Sequence, residues 1–178
     1  MAILTQEKIK GIICDLKGIL EENRGVSICM QQESVNLENW IQIELCDILY
    51  KKLCCNYHKI EVEKKISPDY KGYVDIRVVN NERVELVIEI KIIKIGNKNS
   101  ILKDIQKLKG AEIYKDIQKA ILCIAYQNHK TKKSWANDYL KDVEDKIGEI
   151  SEKYDDSFKV NGNNGGKIEV ILYLNSWV

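Results

Sequence analysis

One run of residues restricts the fold of this chain more than any other: Val84-Glu85-Leu86-Val87-Ile88-Glu89-Ile90-Lys91-Ile92-Ile93, continuing to Ile95. Along a strand, successive side chains point to opposite faces. Leu86, Ile88, Ile90 and Ile92 then form a wholly apolar face that needs a helix against it. Glu85, Val87, Glu89, Lys91 and Ile93 form the other face, with Glu89 and Lys91 side by side, about 7 Å apart along the strand. Taken alone, that second face also fits an ordinary solvated face of an antiparallel sheet.

The flanking sequence supplies layers for such a strand. Ile9, Ile12, Ile13, Leu16, Ile19 and Leu20 recur at helical spacing, which predicts an amphipathic helix over Gln6 to Glu22. After a short extended piece, Val26 to Met30, a second helix is expected from an N-cap at Ser34 to about Leu53. Lys59 to Ile66 alternates apolar and charged residues as a half-exposed strand does, and Pro68 ends it. Gly72 to Val79 reads as a strand joined to the next through Asn80-Asn81. A third helix is expected over Ile101 to Lys109, between Ser100 and Gly110, and a buried strand over Lys119 to Tyr126. Ser134 to Tyr154 reads as a long acidic helix, Asn161 to Gly166 as a loop and Lys167 to Trp177 as a last strand. The order α-α-β-β-β-α-β-α-β predicts an α/β sandwich, a mixed central sheet flanked by helices.

With 178 residues, no internal repeat and no linker, one domain over 1–178 is expected. No apolar run approaches the roughly 18 residues that span a membrane. Five of the six cysteines lie in apolar runs and none forms a C-x-x-C pair, so reduced thiols in a cytoplasmic protein without a signal peptide are expected.

Functional information lies where charge interrupts the apolar pattern, because a buried ion costs several kcal/mol unless paired or metal-bound. Glu89 and Lys91 are one such place. Asp75, in Gly72-Tyr73-Val74-Asp75-Ile76-Arg77-Val78-Val79, is a second: it lies opposite the face made by Val74, Ile76 and Val78. If this strand pairs with the next, Asp75 comes close to Glu89, and two adjacent carboxylates repel unless a cation lies between them. An ion pair of Asp75 with Arg77 or Lys91 is the alternative. The third place is Glu44, on the helical stripe Leu37, Ile41, Leu45, Ile48 and Leu49, whereas Glu38 and Asp47 occupy ordinary positions. Carboxylates without His or Cys suit Mg²⁺ or Mn²⁺. With a lysine beside them, they fit metal-assisted phosphodiester hydrolysis.

Asp75, thirteen residues, then Glu89-Ile90-Lys91 at the end of an apolar strand resembles the signature of the PD-(D/E)XK nuclease superfamily. The helix bearing Trp40-Ile41-Gln42-Ile43-Glu44-Leu45 looks like that superfamily's first core helix, and the order α-β-β-β-α-β over about 34–126 is similar to its common core. The resemblance implies a restriction-endonuclease-like fold, with metal-binding roles for Asp75, Glu89 and Glu44 and a catalytic role beside the hydrolytic water for Lys91. Acid-x-Lys also occurs at Asp15–Lys17, Glu63–Lys65, Asp69–Lys71 and Glu144–Lys146, so strand context, not the tripeptide, selects 89–91. A literal Pro68-Asp69 is passed over because it falls at a turn. Asp104, Gln106 and Lys107 occupy a helix that often adds substrate contacts in this superfamily, although a solvated face explains them too. Cys54-Cys55-x-x-His58 lacks partners at zinc spacing and reads as core.

A formal net charge of +1 hides a strong segregation. Residues 1–90 carry 12 basic and 15 acidic groups, residues 91–133 carry 11 against three, and residues 134–156 carry three against eight. The basic block begins at Lys91, and phosphate backbones bind such concentrations of charge. The expectation is a Mg²⁺- or Mn²⁺-dependent endonuclease acting on DNA in preference to RNA, compatible with a homodimer. The alternative is a catalytically inactive nucleic-acid- or partner-binding module with the same fold.

Overall fold

The computed structural model describes residues 3–23, 25, 37–53, 58–93, 103, 105, 108, 116–128, 141, 145, 152–160 and 166–175. Its elements are α1 (Gln6–Glu22), α2 (Glu38–Lys52), β1 (His58–Lys64), β2 (Val74–Asn80), β3 (Arg83–Ile93), β4 (Gln118–Asn128), β5 (Glu152–Val160) and β6 (Gly166–Asn175). The strands form one sheet in the order β1-β2-β3-β4-β6-β5. Only β3 and β4 run parallel; the other neighbours are antiparallel. The chain is therefore α/β with a mixed sheet, as its alternation of helical and strand periods implies.

The apolar face of β3 is covered as its spacing requires. Leu86, Ile88, Ile90 and Ile92 pack with Ile9, Ile12 and Leu16 of α1 and Ile41, Leu45 and Leu49 of α2. Thr5 caps α1 by accepting the Lys8 N–H at 3.4 Å. On the opposite face, Val87 and Ile93 join Ile121, Cys123 and Tyr173 beneath Ile105 and Leu108. Lys103, Ile105 and Leu108 are helical, so helical residues lie on both faces of the sheet.

Five local expectations change. Ser34 lies outside the described residues, as does Val26 to Met30, and α2 begins at Glu38 after Leu37 without a side-chain cap. The hairpin turn centres on Asn81 and Glu82, both at positive φ (47° and 66°), because Asn80 pairs with Arg83. Glu152–Val160 is a strand, so an acidic helix cannot extend to Tyr154; Lys141 and Asp145 are helical. This strand is an edge, where one buried face suffices and charges are tolerated. Tyr154 and Phe158 pack toward α1, and Asp156 between them pairs with Lys17 of α1 at 3.1 Å. Gly166 starts β6 instead of ending a loop, and a Cβ there would lie 2.5 Å from the Tyr126 ring.

The fifth change concerns β2. Ile76 and Val78 pack toward α1 and α2, but Val74 belongs to the opposite apolar cluster with Ile66 and Tyr70. Strict alternation would keep all three on one face. Burial still alternates along β2, so Val74 reaches that cluster at the end of the strand, beside Asp75. There the β1–β2 register passes from Val62 opposite Ile76 to Lys64 opposite Val74, omitting Glu63 and Asp75. Glu63 is itself at φ 49°, an uncommon backbone state for a non-glycine residue.

Candidate functional site

The irregularity at Asp75 also ends the pairing of β2 with β3. Their last register pair is Ile76 with Ile88, and one step beyond it Asp75 stands level with Glu89. From that point β3 keeps its parallel neighbour β4, with Glu89 beside Ile121 and Lys91 beside Cys123. Its other edge loses strand partners, and backbone N–H groups there must be satisfied by side chains or water. Side chains do so. Asp75 Oδ2 accepts the Ile90 N–H at 2.6 Å, and Glu38 Oε1 accepts the Ile92 N–H at 3.4 Å. Gln42, one turn after Glu38, donates to the Asp75 carbonyl at 2.6 Å. The first turns of α2 thus bridge the split between the two strands.

Glu89 is 1% exposed, the most deeply buried carboxylate among the described residues. Lys91 is 14% exposed at its side chain, and its Nζ lies 3.7 Å from Glu38 Oε1. Its charge also reaches the Cys123 thiol. Burial pushes that thiol up to about 12, and the Lys91 ammonium opposes the rise. Asp75 is half-buried. These four residues gather at the end of β3, three of them because consecutive odd positions and a broken ladder place them there.

Glu44 is placed differently. Two residues of helix rotate about 200°, so Gln42 and Glu44 flank the buried stripe of α2 on opposite sides. Gln42 faces β2, and Glu44 acts electrostatically on Lys51 near the helix end. The helix carboxylate that touches Lys91 is Glu38, which the sequence pattern marks as an ordinary helix position. A signal was present nonetheless: Glu38 precedes Ile41 by three residues and Leu45 by seven, so it lies nearer the middle of the stripe than Glu44 does.

Asp104, Gln106 and Lys107 lie outside the described residues. His58 contacts Glu85 across β1 and β3 at 3.3 Å, and Asn80 donates to the same carboxylate at 3.2 Å. Cys54 and Cys55 lie outside the described residues, whereas Cys14, Cys46 and Cys123 are free thiols.

Asp75 and Glu89 are a hard-oxygen donor pair. Mg²⁺ commonly takes one or two protein carboxylates and completes its octahedron with water and phosphate oxygens, so the pair suits it. Among the described residues no group of three or more His, Cys, Asp or Glu side chains is placed to hold a metal ion. No described helix is long and apolar enough to cross a membrane. No protein-family model, curated protein or solved structure matches the chain.

Proposed function

We propose that the chain is a divalent-metal-dependent nuclease of restriction-endonuclease-like fold that hydrolyses phosphodiester bonds, DNA in preference to RNA. The supporting observation is the split between β2 and β3, which sets Asp75 level with a buried Glu89 and brings Lys91 beside Glu38. Burying a carboxylate is costly without a compensating charge. A bound Mg²⁺ or Mn²⁺ would add positive charge beside the buried carboxylate and polarise a phosphate oxygen. Asp75 and Glu89 would hold it. Lys91 donates hydrogen bonds to charge that builds on the phosphate during attack, and orients the attacking water. Glu38, through its contact with Lys91, fixes where that ammonium stands. The reading includes a cytoplasmic location and is compatible with a homodimer.

The test is incubation with supercoiled, linear and single-stranded DNA and with RNA, in Mg²⁺ or Mn²⁺. Nicking or cleavage is expected, abolished by EDTA and reduced by about a hundredfold or more in Glu89→Ala and in Lys91→Ala. Activity that survives both substitutions would reject this site. Glu38→Gln and Glu44→Gln, assayed alongside, separate the two helix carboxylates: contact with Lys91 predicts the larger loss for Glu38→Gln. Salt-sensitive binding without any cleavage would favour the alternative, a catalytically inactive binding module with the same fold.

A further inference from the structure

A cleft of about 850 Å³ opens beside β2, away from the α1–α2 layer. It begins next to the site just described: Tyr73 and Arg77, two residues either side of Asp75, both line it. It ends at the β2–β3 hairpin, where Glu82 and Arg83 line it, and at Asp116 before β4. Six residues of strand cover about 20 Å, so the cleft spans several units of a linear polymer.

Its lining has two chemistries. The floor is apolar, made by Ile66, Val79, Val84 and Ile117. The rim carries Lys64, Lys65, Arg77 and Arg83 against the acids Glu82 and Asp116. Arg77 is engaged by Glu61 at 2.5 Å and by the Lys65 carbonyl, so it is a fixed part of the wall. Arg83 pairs with Asp116 at 3.0 Å, but both side chains are mostly exposed, and such pairs hold their partners weakly. Lys64 has no acidic partner among the described residues, and Lys65 reaches only the Pro68 carbonyl at 3.4 Å. At the end nearest Asp75, Tyr73 is 61% exposed, a ring that nothing in the fold requires at the surface.

An apolar floor, a cationic rim and an exposed ring together fit a ligand with flat apolar faces joined by anionic groups. A duplex hides its base faces within the stack, whereas a single strand offers them to aromatic side chains while its phosphates meet lysines. We propose that the cleft binds single-stranded nucleic acid, with one base stacked on Tyr73 and its phosphates on Lys64 and Lys65, leading the strand past Asp75. The proposal deepens the nuclease reading by naming an unpaired strand as the substrate. It rests on that reading for where the strand goes, not for how it is bound.

Binding measured in EDTA separates the two. Fluorescence anisotropy of a labelled oligothymidylate, with the matching duplex and thymidine monophosphate as competitors, is expected to show preference for the single strand. Tyr73→Ala is expected to weaken binding about tenfold, and the double variant Lys64→Glu, Lys65→Glu by at least as much. Lys51→Glu, an exposed lysine of α2 outside the cleft, is expected to bind as the parent does. All three sites of change in the cleft are exposed, and unchanged melting temperatures check that the variants fold. Equal affinity for duplex, or unaltered binding by both cleft variants, overturns the proposal even if metal-dependent cleavage is found. A mononucleotide that competes as well as the oligonucleotide overturns it too, since the cleft would then be a small-molecule site. Tyr73-dependent strand binding without cleavage supports the cleft and counts against the nuclease.

Discussion

Gln118 shows how much a single buried polar side chain can hold. Its amide accepts the Leu4 N–H at 2.8 Å and donates to the Leu4 carbonyl at 3.3 Å, both in buried surroundings. The segment before α1 is thereby tied to the first residue of β4. Gln118→Ala leaves both Leu4 groups without partners, and such losses cost about 1–3 kcal/mol. Urea unfolding should show that deficit without a change of slope. Glu82 offers the opposite case. It sits at φ 66° behind Asn81 at φ 47°, a turn that asks for left-handed residues at both positions. Glu82→Gly removes a strain of about 1–2 kcal/mol but adds unfolded-state entropy, for a net gain of about 0.5–1 kcal/mol. A rise in the thermal midpoint checks it. Sequence reading reached Asp75, Glu89 and Lys91 because charge in an apolar strand is conspicuous. It passed over Glu38 because a glutamate near a helix start is ordinary, and only the course of β2 makes its carboxylate a partner for β3.

Strands and helices carry the next level of consequence. β1 is an edge strand, and its tie to β2 includes Glu61, opposite Arg77 in register. A hydrogen bond from Lys59 draws the Glu61 carboxyl below the ordinary range; burial opposes this, and Arg77 adds to the lowering. A carboxyl lowered in the folded state contributes stability above its unfolded pKa and loses that contribution as pH falls through its folded one. Glu61→Gln should therefore be less stable than the parent at neutral pH. That difference should shrink as pH drops below about 4, the ordinary range for a glutamate. Paired denaturation curves at the two pH values read it directly. Five of the six strands were legible, because alternation or continuous apolar runs mark them. β5 was not: Glu152 to Val160 holds three acids, and its strand character comes from pairing with β6 and from Tyr154 and Phe158 meeting α1. The break in β2 was equally hidden. Val74, Ile76 and Val78 share one period, yet the β1–β2 pairs skip Asp75 and Val74 packs in the other apolar cluster.

At the scale of the whole molecule, the sheet separates two environments. One face is closed by α1 and α2, and the other carries both the Glu89–Lys91 row and, along β2, the basic cleft. The charge segregation seen along the chain pointed to residues 91–133 as the basic side. The described cleft draws its cations instead from Lys64, Lys65, Arg77 and Arg83, which precede that block. Residues scattered in an acidic half of the chain are gathered there because antiparallel pairing sets β1 beside β2 and the hairpin returns Arg83 to the same end. By itself the sequence determined the α/β class, the helix α1, the apolar face of β3 and the alternation that sets Glu89 beside Lys91. These follow from local periodicity, which needs no knowledge of neighbours. Only the tertiary structure decided that β2 leaves β3 at Asp75, that Glu38 and Gln42 bridge the opening, and that a cleft runs from there along the sheet. Those depend on where distant segments run out of backbone partners, and no spacing within one segment records that.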